Sequence, residues 1–218
     1  MIGRPASQTI DGPAGLLEVV IEEPAHAPVG LAVIAHPHPL QGGTMDNKVV
    51  HTLCRAFVLA GWRAVRFNFR GVGQSEGGWD EGRGETADLL TVVAHHLTDP
   101  ALKGLPLALA GFSFGGYVAA QAHARLSEAV ANRPAPVAPK QLVLVSPATS
   151  RYEVPEVPAH TLVVEGEQDD VVPLASILDW ARPQGLPVTV VPGTGHFFHG
   201  KLTVLREVVL RHLRAAAV

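Results

Sequence analysis

A serine flanked by glycines follows one of the most apolar segments of the chain. Gly111-Phe112-Ser113-Phe114-Gly115-Gly116 comes directly after LPLALA and precedes a helical pattern. The spacing G-x-S-x-G between a strand and a helix is typical of a strained turn that presents a nucleophilic serine, although an ordinary glycine-rich turn shares the pattern. Glycines two residues before and after the serine permit the close approach of the chain. The amide of Phe114, at the start of the helix, is placed to stabilise an oxyanion.

A serine hydroxyl needs a base to take its proton, and the base needs a carboxylate to orient it. Two downstream segments offer these groups: GEQDDVVP at residues 166–173 and GTGHFFH at residues 193–199. Ser113, Asp169 and His196 each lie just past a predicted strand. The carboxyl ends of parallel strands form one rim of the sheet, where ligands bind. The residues therefore predict a nucleophile, base and acid at one edge of a sheet.

The elements that must position these residues alternate along the chain. Apolar runs predict strands at residues 7–10, 16–22, 31–36, 64–69, 107–112, 141–146, 161–165 and 188–191, and helical patterns lie at 47–60, 85–97, 114–131, 174–181 and 201–215. The middle and later strands are almost continuously apolar, as in a parallel sheet with helices on both faces. The alternation predicts a three-layer α/β architecture.

The ends and connections of this pattern lead to four narrower expectations. The first two strands flank Asp11-Gly12, a turn dipeptide, which predicts an antiparallel hairpin at a sheet edge. Residues 132–140 (NRPAPVAPK) are too short to separate domains and predict a stiff helix-to-strand connection. We therefore expect a single domain over residues 1–218. Asp88, on the helix at 85–97, is expected to be a solvated carboxylate.

The overall composition excludes several classes of protein. The 218 residues carry a net charge of −3 without a run of Lys or Arg, which argues against a nucleic-acid partner. No apolar stretch reaches the length of a signal peptide core or a membrane span. The sequence therefore predicts a cytoplasmic protein without a membrane partner, and it says nothing about the oligomeric state.

The sequence contains no complete motif for binding a metal ion or a nucleotide cofactor. The single cysteine, Cys54, excludes an internal disulfide and a cysteine-based metal site. His36 and His38 form an H-x-H pair, but no H-E-x-x-H motif or nearby acidic cluster supplies a third metal ligand. The glycine-rich segment at residues 71–77 lacks the third glycine of a dinucleotide fingerprint. We expect no metal and no cofactor.

The segments GFSFGG, GEQDDVVP and GTGHFF together resemble the α/β-hydrolase superfamily over nearly the whole chain. They look closest to its small, lidless bacterial serine hydrolases, near the esterase and dienelactone-hydrolase-like branches. The resemblance implies a mostly parallel eight-stranded sheet flanked by helices, without a cap domain. It also implies a triad of Ser113, His196 and Asp169, with the adjacent Asp170 as the alternative acid. His199 fits the position of the base less well than His196.

The resemblance also implies where the second oxyanion amide comes from. In the superfamily it belongs to the loop after the third strand, which here reads His36-Pro37-His38-Pro39-Leu40. Neither proline has an N–H to donate, so His38 and Leu40 are the candidates. Alignment with the superfamily's His-Gly-x pattern selects His38, with Leu40 as the alternative.

About fourteen residues separate the sixth and seventh predicted strands, where larger α/β-hydrolases insert a helical cap. This connection is too short for a cap, so we expect a shallow or open pocket. Leu40, Met45, Trp79 and Phe197 are the candidate substrate-binding residues and favour a small apolar acyl group. We expect a carboxylesterase-like serine hydrolase that cleaves small esters or thioesters through an acyl-enzyme. A peptidase or amidase on the same fold and a non-catalytic binding protein are the alternatives.

Overall fold

The computed structural model describes residues 6–132 and 138–216. Within these ranges the strands are β1 Gln8–Gly12, β2 Gly15–Glu22, β3 Leu31–Ala35, β4 Arg63–Phe67, β5 Leu107–Phe112, β6 Pro139–Val145, β7 Leu162–Gly166 and β8 Val188–Val191. The helices of more than one turn are α1 Lys48–Leu59, α2 Arg83–His96, α3 Phe114–Asn132, α4 Leu174–Ala181 and α5 Leu202–Ala215. Each predicted strand and helix is present, with most ends within two residues of the prediction.

All eight strands belong to one sheet with the order β1-β2-β4-β3-β5-β6-β7-β8. The pairs from β4 through β3 and β5 to β8 are parallel, whereas β1 and β2 are antiparallel to their neighbours. The predicted mostly parallel, eight-stranded sheet is therefore confirmed. The carboxyl ends of β3, β5, β6, β7 and β8 meet at one edge of the sheet, and the loops that follow them hold the residues of the candidate site.

The hairpin between β1 and β2 differs in one detail from the prediction. Asp11 and Gly12 are paired residues of β1, opposite Leu16 and Gly15. The reversal falls instead on Pro13 and Ala14, so the prediction of an Asp-Gly turn is wrong by two residues. Gly15 has a positive φ of 113° and provides the backbone conformation that lets the chain turn back.

The core forms two layers, one on each face of the sheet. Along β3 the side chains alternate: Val33 packs with the core beneath α2 and α3, whereas Ile34 packs with the core beneath α1 and α5. Both side chains are fully buried. This is the reason that the central strands read as continuously apolar, since both of their faces are covered by helices.

A buried ion pair joins α2 to the loop that follows β4. Asp88 is completely buried, and its two carboxylate oxygens accept hydrogen bonds from Arg70 Nη2 at 2.7 Å and Nε at 3.0 Å. The backbone amide of Arg70 also donates to Asp88, at 3.0 Å. The expectation of a solvated carboxylate is therefore wrong, because a bidentate arginine compensates the buried charge. The hydrogen bonds from Asp88 raise the pKa of Arg70 above its ordinary value.

The connection between β6 and β7, residues 146–161, consists of turns and bends without a helix. No cap covers the carboxyl edge of the sheet at this point. Among the described residues no helix combines the length and apolar character needed to span a bilayer. The predicted stiff connection at residues 132–140 falls mainly on residues outside the described ranges, and the single domain over residues 1–218 stays a prediction.

Candidate active site

Ser113 occupies a sharp turn between β5 and α3. Its φ is +57°, a left-handed conformation that is rare for a residue with a side chain. A Cβ atom on Gly111 would lie 2.0 Å from the carbonyl oxygen of Gly115. A Cβ atom on Gly115 would lie 2.3 Å from the carbonyl oxygen of Ala35, at the end of β3. The turn therefore requires both glycines, and it brings the start of α3 against the loop that follows β3.

The structure brings the predicted serine, histidine and aspartate together in one hydrogen-bonded line. His196 Nε2 lies 3.1 Å from Ser113 Oγ, and His196 Nδ1 lies 2.7 Å from Asp169 Oδ2. An ionised carboxylate only accepts, so Nδ1 carries the proton and Nε2 is left to accept from the serine hydroxyl. All three residues are buried, with Ser113 8% exposed. This arrangement can take the proton of Ser113 as the serine attacks an acyl carbon.

Asp169 is held in place and kept ionised by the turn after β7. Its Oδ1 accepts hydrogen bonds from the amides of Val171 at 2.9 Å and Val172 at 2.7 Å. Burial acts to raise the pKa of Asp169, but the hydrogen bonds from His196 and Val172 outweigh it and lower that pKa below its ordinary value. Asp170, the alternative acid, is exposed. His199, the alternative base, is exposed and stacks on Phe197 with a ring separation of 5.9 Å.

The loop after β3 uses most of its own amides internally. Leu40 N donates to His38 Nδ1 at 3.2 Å, so the alternative oxyanion donor already has a partner. The amides of residues 41 and 43 donate to the carbonyl oxygen of His38, and the amide of residue 42 donates to that of Pro39. Prolines 37 and 39 have no N–H. Among residues 37–43, the amide of His38 is therefore the candidate that can bind the oxyanion together with the amide of Phe114.

A side-chain interaction that the sequence does not predict holds this loop against the connection between β6 and β7. His38 Nε2 lies 3.0 Å from the hydroxyl of Tyr152, which belongs to the connection between β6 and β7. The His38 ring stacks on Trp79 at 4.5 Å and also contacts Phe114 at 5.1 Å. Burial lowers the pKa of His38. A neutral ring whose Nδ1 accepts from Leu40 must carry its proton on Nε2, and therefore donates to Tyr152.

The ring nitrogens of both histidines in the H-x-H pair contact other groups of the protein. His36 is fully buried; its Nδ1 lies 2.6 Å from the carbonyl oxygen of Pro37, and its Nε2 accepts from the amide of Phe69 at 3.1 Å. Both ring nitrogens of His38 are engaged as described above. Neither ring therefore presents a free nitrogen to a metal ion. Among the described residues no other group of three or more His, Cys, Asp or Glu side chains could hold one.

A cavity of about 120 Å³ opens beside the serine. Its lining comes from the segments that follow β3, β5, β7 and β8: Pro37, His38, Gln41, Gly42, Gly43, Asn47, Ser113, Val171, His196 and Phe197. Larger cavities of about 500 and 620 Å³ lie near the opposite ends of the parallel strands, away from Ser113. The cavity beside the serine is therefore the one in which a bound acyl group can meet the nucleophile.

The four candidate substrate-binding residues lie in different surroundings. Phe197 lines the cavity and is 47% exposed. Leu40 is 70% exposed and lies outside the lining, whereas Met45 is buried, with its amide bonded to Asn68. Trp79 is half-buried against His38. Gln41 and Asn47 also line the cavity and are not predicted from the sequence, because a polar side chain in a loop gives no sign of facing a cavity.

Comparisons with known proteins agree over most of the chain. Residues 33–173 match the family described as serine aminopeptidase, S33. A lidless α/β serine hydrolase from Xanthomonas campestris has a TM-score of 0.86 and 35% sequence identity, covering 99% of this chain and 96% of that chain. An α/β serine hydrolase homologue from Coxiella burnetii has a TM-score of 0.82 and 39% identity, covering 98% and 99%. An uncharacterized protein from Rickettsia prowazekii is 28% identical over 208 residues, 88% of this chain and 81% of that protein.

Proposed function

Since this chain belongs to the α/β-hydrolases, in the family described as serine aminopeptidase S33, we propose that it cleaves small carboxylic esters or thioesters through an acyl-enzyme. The observation that carries the proposal is the placement of His196 between Ser113 Oγ at 3.1 Å and Asp169 Oδ2 at 2.7 Å. This line of contacts allows His196 to pass a proton from the serine while the carboxylate fixes the orientation of its ring. We assign the three residues as nucleophile, base and orienting acid.

The reaction begins when Ser113 Oγ attacks the acyl carbon while its proton moves to His196 Nε2. Asp169 accepts a hydrogen bond from Nδ1–H throughout and stabilises the imidazolium that forms. The amides of Phe114 and His38 hold the oxyanion of the tetrahedral intermediate. His196 then protonates the departing alkoxide or thiolate, which leaves the acyl group on Ser113. Water attacks this acyl-enzyme while His196 Nε2 takes its proton; the bond between the acyl carbon and Ser113 Oγ then breaks, the carboxylic acid leaves and the proton returns to Ser113 Oγ.

The cavity favours a short acyl group. A volume of about 120 Å³ beside Ser113 is small for a ligand site. Gly43 forms part of the wall, and a Cβ atom there would lie 2.0 Å from the carbonyl oxygen of Pro37, so the tight path of this loop requires glycine at that position. Acetyl and butyryl groups are therefore the expected substrates, in preference to long acyl chains.

An aminopeptidase activity, which the family's description names, is the second candidate. Such an enzyme must bind the ammonium group of a peptide's first residue, and a carboxylate close to the nucleophile is the usual partner for a buried ammonium group. None of the ten residues that line the cavity is an aspartate or glutamate. The lining therefore supports an ester or thioester substrate over a peptide with a free amino terminus.

The test compares p-nitrophenyl acetate, butyrate and octanoate with alanine p-nitroanilide. Wild type should hydrolyse the short esters in preference to the octanoate and the anilide. Ser113→Ala should lose about 10⁶-fold in kcat, because the three residues act as a unit. Ser127→Ala, on α3 and away from the site, is the matched control. Labelling by a fluorophosphonate should disappear in Ser113→Ala alone. A folded wild type that is inactive and unlabelled would overturn the triad, and preference for the anilide would favour the peptidase.

A further inference from the structure

A second buried carboxyl group lies behind the candidate triad without an assigned role. Glu165 belongs to the end of β7 and is completely buried. Its Oε1 accepts hydrogen bonds from Ser146 Oγ at 3.0 Å and from the amide of Gly166 at 2.9 Å. Its Oε2 is buried without any donor to accept from. None of the ion pairs in the described part of the chain includes Glu165. A fully buried carboxylate with neither a cation nor a donor for one oxygen would be costly.

The neighbour of Glu165 is the acid of the triad. The Glu165 and Asp169 side chains lie within hydrogen-bonding reach of each other. Two adjacent buried carboxyl groups do not both ionise, because the like charges repel in a medium of low dielectric constant. Asp169 accepts from His196 and from two backbone amides, which makes it the better place for the negative charge. Glu165 is therefore the group that keeps a proton.

We propose that Glu165 is a neutral carboxylic acid that donates its proton in a hydrogen bond to Asp169 and so positions the acid of the triad. With this assignment Glu165 Oε2 becomes a donor and the unpartnered atom gains a partner. The bond holds Asp169 ionised and restricts the rotation of its carboxylate toward His196. Glu165 is a positioning residue, since it acts through Asp169 and does not touch the substrate. The catalytic part of this inference depends on the proposed function; the protonation state does not.

The surroundings of Glu165 agree with a neutral group. Burial, the hydrogen bond with Asp169 and the charge of Asp169 raise the pKa of Glu165 to about 9. Asp169, from the loop after β7, is the charged group that faces it, and His196, from the loop after β8, lies beyond Asp169. Directly after β6 it meets the hydroxyl of Ser146, and the paired residue on β8 is the apolar Val190.

The first experiment measures stability against pH for wild type and Glu165→Gln by urea denaturation. A free glutamate loses its proton near pH 4.5, whereas Glu165 keeps it to about pH 9. Wild type should therefore lose stability relative to Glu165→Gln by about a factor of ten in the unfolding equilibrium constant for each pH unit between these values. Glu167→Gln, which removes an exposed carboxylate two residues further along the chain, just after β7, is the matched control. A difference between wild type and Glu165→Gln that is constant from pH 5 to 8 would show an ionised Glu165 and overturn the proposal.

The second experiment tests the hydrogen bond to Asp169. Glu165→Gln keeps a donor, whereas Glu165→Met has similar length and none. The proton NMR signal of His196 Nδ1–H, assigned by its loss in Asp169→Asn, should shift or broaden in Glu165→Met and stay near its wild-type position in Glu165→Gln. Ser146→Ala removes the other side-chain partner of Glu165 and should leave the signal in place. An unchanged signal in Glu165→Met would overturn the positioning role.

The same variants separate this inference from the proposed function. For ester hydrolysis, kcat of Glu165→Met should fall about tenfold below that of Glu165→Gln, as expected for one lost hydrogen bond, with little change in KM. Equal losses in both variants would exclude a role of the donated bond. If wild type hydrolyses no ester but the stability and NMR results hold, the proposed function fails and the protonated pair stands.

Discussion

The hydroxyl of Tyr152 lies 3.0 Å from His38 Nε2, and this contact connects two loops that are 114 residues apart in the chain. His38 supplies the candidate oxyanion amide, and its ring is held by hydrogen bonds to the Leu40 amide and to the Tyr152 hydroxyl. The position of that amide therefore depends on a hydroxyl from the connection between β6 and β7. In larger members of the superfamily this connection is where the cap is inserted.

Replacing Tyr152 by phenylalanine should release one side of the His38 ring. We expect kcat for p-nitrophenyl butyrate to fall about tenfold with a smaller change in KM, because one hydrogen bond contributes about 1 kcal/mol and acts here on the transition state. Tyr117→Phe, which keeps the ring stacked on Tyr152 and removes only a hydroxyl, is the control. A loss confined to KM would indicate that Tyr152 contacts the substrate instead.

The identity of the acid can be tested by two adjacent substitutions. Asp169→Asn should lower kcat about 10⁴-fold, because an amide beside Nδ1 favours the wrong tautomer of His196. Asp170→Asn should change kcat by less than about twofold, since that side chain is exposed. Kinetics at pH 7 and fluorophosphonate labelling rates measure both effects. Comparable losses in the two variants would contradict the assignment of Asp169.

The buried His36 predicts a loss of stability in acid. Burial lowers its pKa from 6.5 to about 3, so the folded protein keeps His36 neutral while the unfolded chain takes up a proton. The stabilising contribution is complete above about pH 6.5 and declines as the pH falls, by about tenfold in the unfolding constant for each unit. Denaturation of His36→Gln between pH 7 and 4 should show a shallower dependence than wild type. Parallel curves for the two proteins would refute this prediction.

The ion pair between Arg70 and Asp88 predicts a large effect on stability. Asp88→Asn should lower the free energy of unfolding by about 3–5 kcal/mol, because it leaves a largely buried guanidinium without its counter-charge. Asp80→Asn, which breaks an exposed pair with Arg83, is the matched control and should have little effect. Chemical denaturation measures both. Similar losses in the two variants would mean that burial of the Asp88 pair is unimportant.

Periodicity and motif spacing were sufficient to predict the sheet, its helices and the placement of Ser113, Asp169 and His196. These features depend on local patterns: continuous apolar strands, a glycine-flanked serine, and polar residues just after strands. The prediction of a turn at Asp11-Gly12 was wrong because a second dipeptide that favours turns, Pro13-Ala14, lies next to it. Local composition does not determine which of the two dipeptides forms the reversal between β1 and β2.

The features that sequence did not predict depend on contacts between distant segments. Tyr152 meets His38 across 114 residues, and Arg70 meets Asp88 because the loop after β4 folds over α2. Glu165 is an acidic residue in an apolar strand. The positioning role that we propose for it rests on its complete burial and on its contact with Asp169, and neither can be read from the sequence. Partners of this kind are fixed by packing, which a single sequence does not encode in any local pattern.

The short, helix-free connection of residues 146–161 also affects what can reach a serine-bound acyl group. With no cap to open or close, we expect turnover to be limited by bond making and breaking rather than by a conformational step. The acyl group should be accessible to any small nucleophile in the solution. Methanol or ethanol should then compete with water and divert part of the product to a new ester, in proportion to alcohol concentration.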